Sequence, residues 1–358
     1  MSKFIRCCSA LDVYNVGMNS HAKNLGSPEP LRIGDVRVPG RAFLAPMAGV
    51  TDLGMRRLAE RFGASLTVSE MVAAEHYSRG DATNRLRAKG AGVGLHVVQI
   101  AGCKPSAMAD AARLAQDSGA AMIDINMGCP AKRVTNGYAG SHLMRDIGHA
   151  ILLIRATVAA VRIPVTLKMR LGWDHQSINA PELGRRAECE GVAMLTVHGR
   201  TRCQFYAAKA DWAAIGEVKK AVSSIPVVAN GDCASLADAA AMIAWSGADA
   251  VMIGRSAVGR PWFIGDVAHY LAHGQARAEI PLAERKSAAL EHFETLLEIL
   301  GTAQGLRHAR KHLAAYGEWA GGRDGAAWRE RLVRLECPNA VRSTLCQLFE
   351  SPSLGEAA

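Results

Sequence analysis

Ala120-Ala121-Met122-Ile123-Asp124-Ile125-Asn126-Met127-Gly128-Cys129-Pro130 is the stretch from which the fold can be read. An apolar run ends in a polar residue and a glycine. A thiol follows, held between Gly128 and Pro130, two residues that fix a turn rather than extend a strand or a helix. Lys132 and Arg133 come next, so the cysteine stands at a strand-to-loop junction ahead of two cations. Free cysteine often serves only as a small core residue. Position alone does not separate that reading from chemistry on an anionic partner.

The same unit recurs along the chain. Short apolar runs stand at Ala42–Ala45, Leu66–Val68, Leu95–Ile100, Met122–Asn126, Val165–Met169, Met194–His198, Val227–Ala229 and Ala250–Ile253. Their mean spacing is roughly 30 residues, the length of a strand-plus-helix unit. Helical patterns lie between them at Leu53–Phe62, Ser106–Ser118, Ile147–Val161, Pro181–Glu190, Trp212–Ala221 and Ser235–Ser246; the segment Glu70–Arg87 is the least regular. Apolar strands buried on both faces and alternating with helices indicate a parallel sheet. Eight such units predict an α/β fold of the (β/α)8 TIM-barrel type. A doubly wound sheet is the alternative, but no G-x-G-x-x-G follows the first strand.

From Leu282 onward only helical patterns remain, at Leu282–Leu300, Arg307–Trp319, Ala326–Arg334 and Asn339–Phe349, punctuated by Gly301, Gly321-Gly322 and Pro338. The expected organisation is a flexible leader over 1–30, a barrel over 31–273, a linker at Gly274–Pro281 and a small all-helical domain over 281–358. Met18 offers an alternative start.

Composition narrows the function. At 358 residues and 49% hydrophobic content the chain can bury one large core and a smaller one. A net charge of +9 favours an anionic partner. The excess lies in residues 1–280, with 32 Lys/Arg against 23 Asp/Glu; residues 281–358 hold 10 of each, so the tail contributes at most a local patch. Nine cysteines show neither CxxC nor zinc-like spacing, which predicts no metal and reduced thiols in a cytoplasm. No apolar run approaches ~18 residues, and the start lacks a signal-peptide h-region, so no membrane span is expected.

In a barrel of this kind the chemistry sits at the C-terminal strand ends. There the sequence places Pro46-Met47-Ala48-Gly49, Gln99, Asn126 with Cys129, Lys168 and Arg170, His198-Gly199-Arg200, Asn230-Gly231-Asp232 and Gly254-Arg255. Lys168 is the hardest to dismiss, because a lysine inside Val165-Thr166-Leu167-Lys168-Met169 is costly unless paired. Gly231 and Gly254, with Arg255, occupy the usual phosphate-binding place after the last two strands. One phosphate grip and one cation near a ring suit flavin mononucleotide, with Gln99 and Asn126 hydrogen-bonding the ring edge. Spacing alone leaves pyridoxal phosphate or a sugar phosphate open.

Leu44-Ala45-Pro46-Met47-Ala48-Gly49-Val50-Thr51-Asp52, Asn126–Arg133, His198-Gly199-Arg200-Thr201, Asn230-Gly231-Asp232 and Ile253-Gly254-Arg255 together resemble the tRNA-dihydrouridine synthases, most closely the bacterial B-type subfamily. The resemblance runs from about Leu31 to Leu271 and, more patchily, through Ala309-Arg310-Lys311-His312. It implies an FMN-dependent, NADPH-driven reductase of the C5–C6 bond of uridines in tRNA, acting in the cytoplasm and expected to be a monomer. It places FMN contacts on Pro46, Met47, Ala48, Gln99, Lys168, Asn230, Gly231, Asp232, Gly254 and Arg255, and the proton donor on Cys129. His198 and Arg200 would lie beside flavin and substrate.

The chemistry agrees with these residues. Hydride arriving at C6 of a conjugated uracil leaves an enolate that needs a proton at C5. Thiols titrate near ~8.5, so a cysteine can give one at neutral pH. Lys132 and Arg133 are placed to hold the backbone of a flipped nucleotide. Arg307 and Lys311 share a helix face and, with Arg310, are expected to grip tRNA phosphates beside His308 and His312. Two other functions fit fewer features: an FMN barrel reducing a free pyrimidine or other small molecule, and an RNA-binding or regulatory barrel without turnover.

Overall fold

The computed structural model describes residues 30–350. The expected leader, apart from Pro30, and the alternative start at Met18 lie outside the described residues. A two-stranded antiparallel hairpin, β1 (Leu31–Ile33) and β2 (Val36–Val38), leads into the barrel. The eight barrel strands are β3 (Ala42–Leu44), β4 (Leu66–Val68), β6 (His96–Ala101), β7 (Met122–Met127), β8 (Val165–Arg170), β9 (Met194–His198), β10 (Val227–Asn230) and β11 (Ala250–Ile253). All their pairings are parallel, and the ring closes through β4 on β6, with Thr67 opposite His96, and β11 on β3, with Val251 opposite Ala42. Each of the eight expected runs is a strand of this ring. The irregular segment holds β5 (Val72–Ala73), which pairs with β6, and the short helices α2 (Ala74–Ser78) and α3 (Ala82–Arg87).

Alternation along each strand sorts the core into two shells. Val98, Ile100, Ile123, Ile125, Leu167, Met169, Leu195, Val197, Val251 and Ile253 face outward to the helices. Phe43, Leu66, Val68, Val97, Met122, Met194, Val228, Ala250 and Met252 face inward, joined by Ile33 and Val38 of the hairpin. That contact explains the hairpin: its two apolar side chains plug the end of the barrel where the strands begin. Gly34 at φ 60° lies so close to Pro164 that an added Cβ would meet its ring at 3.0 Å.

Outside the ring lie α1 (Leu53–Arg61), α4 (Pro105–Asp117), α5 (Lys132–Thr135), α6 (Ile147–Ala160), α7 (Ala180–Cys189), α8 (Trp212–Ala221), α9 (Leu236–Ser246) and α10 (Phe263–His273). Their ends are set locally. Asp52 caps α1 through Met55 N–H at 3.0 Å, and Ser235 and Asp238 form a reciprocal capping box on α9. Gly274 at φ 72° ends α10 in the left-handed conformation that favours glycine.

The helical C-terminal region comprises α11 (Leu282–Leu300), α12 (Thr302–Ala320), α13 (Gly325–Val333) and α14 (Pro338–Glu350). α12 starts five residues before the expected Arg307, directly after Gly301, the break expected there. Its core includes Phe293, Leu313, Tyr316, Leu345 and Leu348, and it also takes in Leu58, Phe62 and Trp262 of the barrel. The segment between α10 and α11 is fastened as well: Arg277 donates to the Phe62 carbonyl at 2.9 Å and the Trp262 carbonyl at 3.1 Å.

Candidate active site at the barrel mouth

The inward positions of the top layer change from apolar to polar. Asp124 and Asn126 follow Met122 on the inner face of β7; Gln99 follows Val97; Lys168 and Arg170 follow Thr166; His198 follows Thr196; Asn230 follows Val228. This layer floors a cavity of about 960 Å³. Its lining brings together Pro46, Met47, Ala48, Gln99, Asn126, Cys129, Lys168, His198, Arg200, Asn230, Gly231, Asp232, Gly254 and Arg255. Every position expected to meet a cofactor therefore reaches one cavity.

A chain of hydrogen bonds fixes the β6–β8 sector. Gln99 donates to Asp124 at 2.6 Å, Thr166 donates to the same carboxylate at 2.6 Å, and Asn126 donates to the side-chain oxygen of Gln99 at 2.8 Å. The side-chain oxygen of Asn126 accepts the backbone N–H of Gly128 at 3.1 Å and of Cys129 at 3.0 Å, so it shapes the cysteine turn. Asn126 and Gln99 each spend one amide proton inward and keep one for the cavity. Behind Cys129, Ser141 donates its hydroxyl to the Cys129 carbonyl at 2.9 Å. Gly140 at φ 60° passes so close that an added Cβ would meet that carbonyl at 2.9 Å. The Cys129 side chain is partly exposed into the cavity.

Across the mouth Lys168 donates to the side-chain oxygen of Asn230 at 2.9 Å, and Asn230 donates to the Met252 carbonyl at 2.8 Å. Burial lowers the Lys168 ammonium to about 8, with Asp124 opposing the shift. Burial raises the Asp124 carboxyl, and its hydrogen bonds from Thr166 and Gln99 hold it back. The His198 imidazole is kept well below its usual value by burial and then by the charge on Lys168, so it is neutral.

Arg170 and Asp232 also organise the loops around the mouth. Arg170 is fully buried and donates to the carbonyls of Gly128 at 2.9 Å, Thr201 at 2.8 Å and Phe205 at 2.8 Å. One guanidinium thus ties the cysteine turn to the loop after β9. Arg200, expected beside the substrate, is 2% exposed and spends its donors on Asp232 at 2.6 Å and the Ala208 carbonyl at 2.6 Å. Asp232, in the left-handed region at φ 59°, also pairs with Arg255 at 3.3 Å. Phe205 and Tyr206 line the cavity too, and sequence reading passed over them because that long loop has no periodicity.

Of the expected RNA-facing cations, Lys132 and Arg133 are exposed on α5 directly beyond the cysteine, and Arg307 and Arg310 are exposed on α12. Lys311 is not: it is half-buried, and a Cβ added to Gly49 would sit 3.2 Å from its ammonium. His308 and His312 also turn inward. His312 Nε2 lies 3.1 Å and His292 Nε2 3.2 Å from the two oxygens of Asp52, and His308 Nε2 lies 3.8 Å away. Burial would raise Asp52, but His292 and His312 hold it well below the carboxylate range, while burial lowers His312 to about 4. Histidines expected in a basic patch instead clasp the helical region to the cap of α1. Asp52, His292 and His312 have metal-like spacing, within 4.8 Å, and come from three separate segments that sequence spacing could not reveal. Buried Arg56 and half-buried Lys311 already face Asp52 with positive charge.

A closed parallel barrel with a thiol, a buried lysine and a glycine-flanked arginine converging on one cavity belongs to the enzyme class of (β/α)8 barrels. The chain is a member of the dihydrouridine synthase family, whose model matches residues 43–351. It is 52% identical over 281 residues to a probable tRNA-dihydrouridine synthase of Rhizobium leguminosarum bv. phaseoli, covering 78% of this chain and 86% of that one. It is 44% identical over 335 residues to the tRNA-dihydrouridine synthase B of Xanthomonas axonopodis pv. citri (strain 306), covering 92% and 100%. In fold it is similar to the 6-hydroxypseudooxynicotine amine oxidase of Pseudomonas geniculata N1, with TM-score 0.54 and 14% identity over 93% of this chain and 67% of that one.

Proposed function

We propose that this protein is a tRNA-dihydrouridine synthase of the B type that reduces the C5–C6 bond of particular uridines in tRNA, with FMN as its cofactor and NADPH as reductant. The convergence of Cys129, Lys168, Asn230 and Arg255 on one cavity carries the reading. The donor set fits a flavin mononucleotide. Lys168 is a buried cation aimed into the mouth, Gln99 and Asn126 offer amide protons beside it, and the glycine turns at Gly231 and Gly254 stand at the phosphate end with Arg255. Pro46, Met47 and Ala48 close the remaining wall. When bound, FMN supplies the hydride that reaches C6 of the uracil.

The chain's own residues do the rest. Cys129 delivers the proton to C5, and Asn126, Ser141 and Arg170 hold its turn in place. Lys168 balances negative charge in the cavity, and neutral His198 offers a hydrogen bond without adding charge. Arg200, paired with Asp232, fixes the loop that carries Phe205 and Tyr206 through the Ala208 carbonyl. Residues 31–273 are assigned to cofactor and chemistry, and 281–358 to holding tRNA through Arg307 and Arg310. Lys132 and Arg133 face the strand beside the flipped nucleotide.

We assign the protein to the cytoplasm as a monomer without a metal. The seven described cysteines are all free thiols, in keeping with a reducing compartment, and no helix among the described residues is long and apolar enough to cross a membrane. The test is NADPH consumption by the yellow protein with unmodified tRNA transcript or with free uracil and uridine. Turnover should require the tRNA, and dihydrouridine should appear in it. Turnover on the free pyrimidine with none on tRNA would establish the small-molecule alternative, and no turnover on either would leave the RNA-binding one.

A further inference from the structure

The loops after β7, β8 and β9 carry a band of aromatic rings and guanidinium groups that the chemistry above does not use, with Tyr138, Arg145 and Phe205 exposed and Trp173 and Arg202 half-buried. Tyr138 is 64% exposed and stands edge-on to His142 at 4.9 Å between centroids; His142 stands edge-on to Trp173 at 5.9 Å. The Arg202 guanidinium lies 4.6 Å from the Trp173 ring centre and 4.7 Å from that of Phe205, and Arg145 lies 5.0 Å from Trp173. The band ends at Phe205, which is 38% exposed and lines the cavity.

These rings are not misplaced core. Tyr138 and Phe205 both sit in the left-handed backbone region, at φ 56° and 49°, which bulky residues seldom adopt. Such strain persists only where the surrounding structure enforces it. Here Arg170 holds the Phe205 carbonyl, and the turn after Tyr138 is anchored on the Cys129 carbonyl through Ser141. Two loops thus present rings to solvent while fastened to the cysteine turn.

We infer that this band is a stacking platform for the unpaired nucleotides flanking the reduced uridine, the bases lying on Tyr138 and Trp173 and their phosphates meeting Arg145 and Arg202. Single-stranded nucleic acid is held by this combination of π-faces and cations. The inference rests on the proposed function, and it gives the flipped base a reason to stay out. Its neighbours, once unstacked by the flip, regain stacking on the protein. The platform lies on the β7–β9 sector, whereas the helical region packs on α1 beside β3 and β4, so RNA is gripped on both sides of the mouth.

The experiment uses the full-length flavin-loaded protein. Tyr138→Ala and Trp173→Ala should each raise the Kd for unmodified tRNA about tenfold, with unchanged flavin content and unchanged rate of flavin bleaching by NADPH. Tryptophan fluorescence should fall when wild-type protein meets tRNA or a short uridine-rich oligonucleotide, and that fall should be smaller in Trp173→Phe, which retains a ring and guards against misfolding of the alanine variant. Variants within twofold of wild type, with an undiminished fluorescence response in Trp173→Phe, would overturn the platform while leaving the tRNA reading standing. Quenching of Trp173 by NADPH and not by RNA would overturn it in favour of a nicotinamide-nucleotide site. Wild-type protein that neither binds nor modifies tRNA would overturn the functional reading itself, and the platform with it.

Discussion

Replacing Lys168 by methionine should make the flavin-free protein more stable at pH 7 while it impairs the site. The ammonium is buried on the inner face of β8, and its pKa of about 8 already includes the attraction of Asp124. Moving a lysine from 10.5 to about 8 disfavours its charged form in the folded state by about 3 kcal/mol. Because the folded pKa is depressed, both states carry the proton below pH 8 and the whole cost is present there. Between pH 8 and 10.5 the folded protein sheds its proton first, so stability rises with pH. Methionine fills the volume of a neutral lysine but orphans the Asn230 oxygen, a loss of about 1 kcal/mol. The net expectation is a gain of about 2 kcal/mol at pH 7 that vanishes near pH 9.5 as the wild type recovers. Urea unfolding of both flavin-free proteins at the two pH values reads this directly. Flavin binding to the variant should weaken by about tenfold or more through the lost charged hydrogen bond. A variant less stable than wild type at pH 7, or a gap unchanged at pH 9.5, would refute the burial argument.

His312 is held neutral down to about pH 4, so between pH 6.5 and 4 the unfolded chain takes up a proton that the folded one refuses. Stability should fall as pH drops through that window, and His312→Gln should flatten the fall by up to about 3 kcal/mol in acid unfolding curves. Arg200→Ala leaves Asp232 without its buried partner; it should cost about 3 kcal/mol in thermal unfolding and lower flavin occupancy. Arg307→Ala with Arg310→Ala should reduce the slope of log Kd for tRNA against log salt by about 1.8, read by filter binding, with unfolding unchanged. An unaltered slope would remove those two residues from the tRNA contact.

The ring of strands was legible because parallel barrel strands are screened on both faces. Ala250–Ile253 reads as apolar whichever way each residue points. The hairpin at Leu31–Val38 escaped notice, since Arg32, Arg37 and Asp35 break its apolar content and its function is to plug the barrel end. Within the site, glycine turns and the out-of-place Lys168 were visible, but the direction of a side chain was not. Arg200 and Lys311 both read as free cations, yet one is folded onto Asp232 and the other onto the loop at Gly49. Asp124 looked like one polar residue in an apolar strand, and its role appears only when β6, β7 and β8 are in register. Asp52 likewise acquires its histidines from residues more than two hundred positions away. Contacts of that kind leave no local pattern in a sequence.

Cys129 is proposed to give the proton that completes uridine reduction. Incubating flavin-loaded Cys129→Ala with NADPH and unmodified tRNA, then mapping the RNA by mass spectrometry, tests it most directly. The expected result is normal flavin reduction by NADPH with no dihydrouridine, at positions where the wild type converts uridine fully. Wild-type yields and rates of dihydrouridine from the alanine variant would contradict the account.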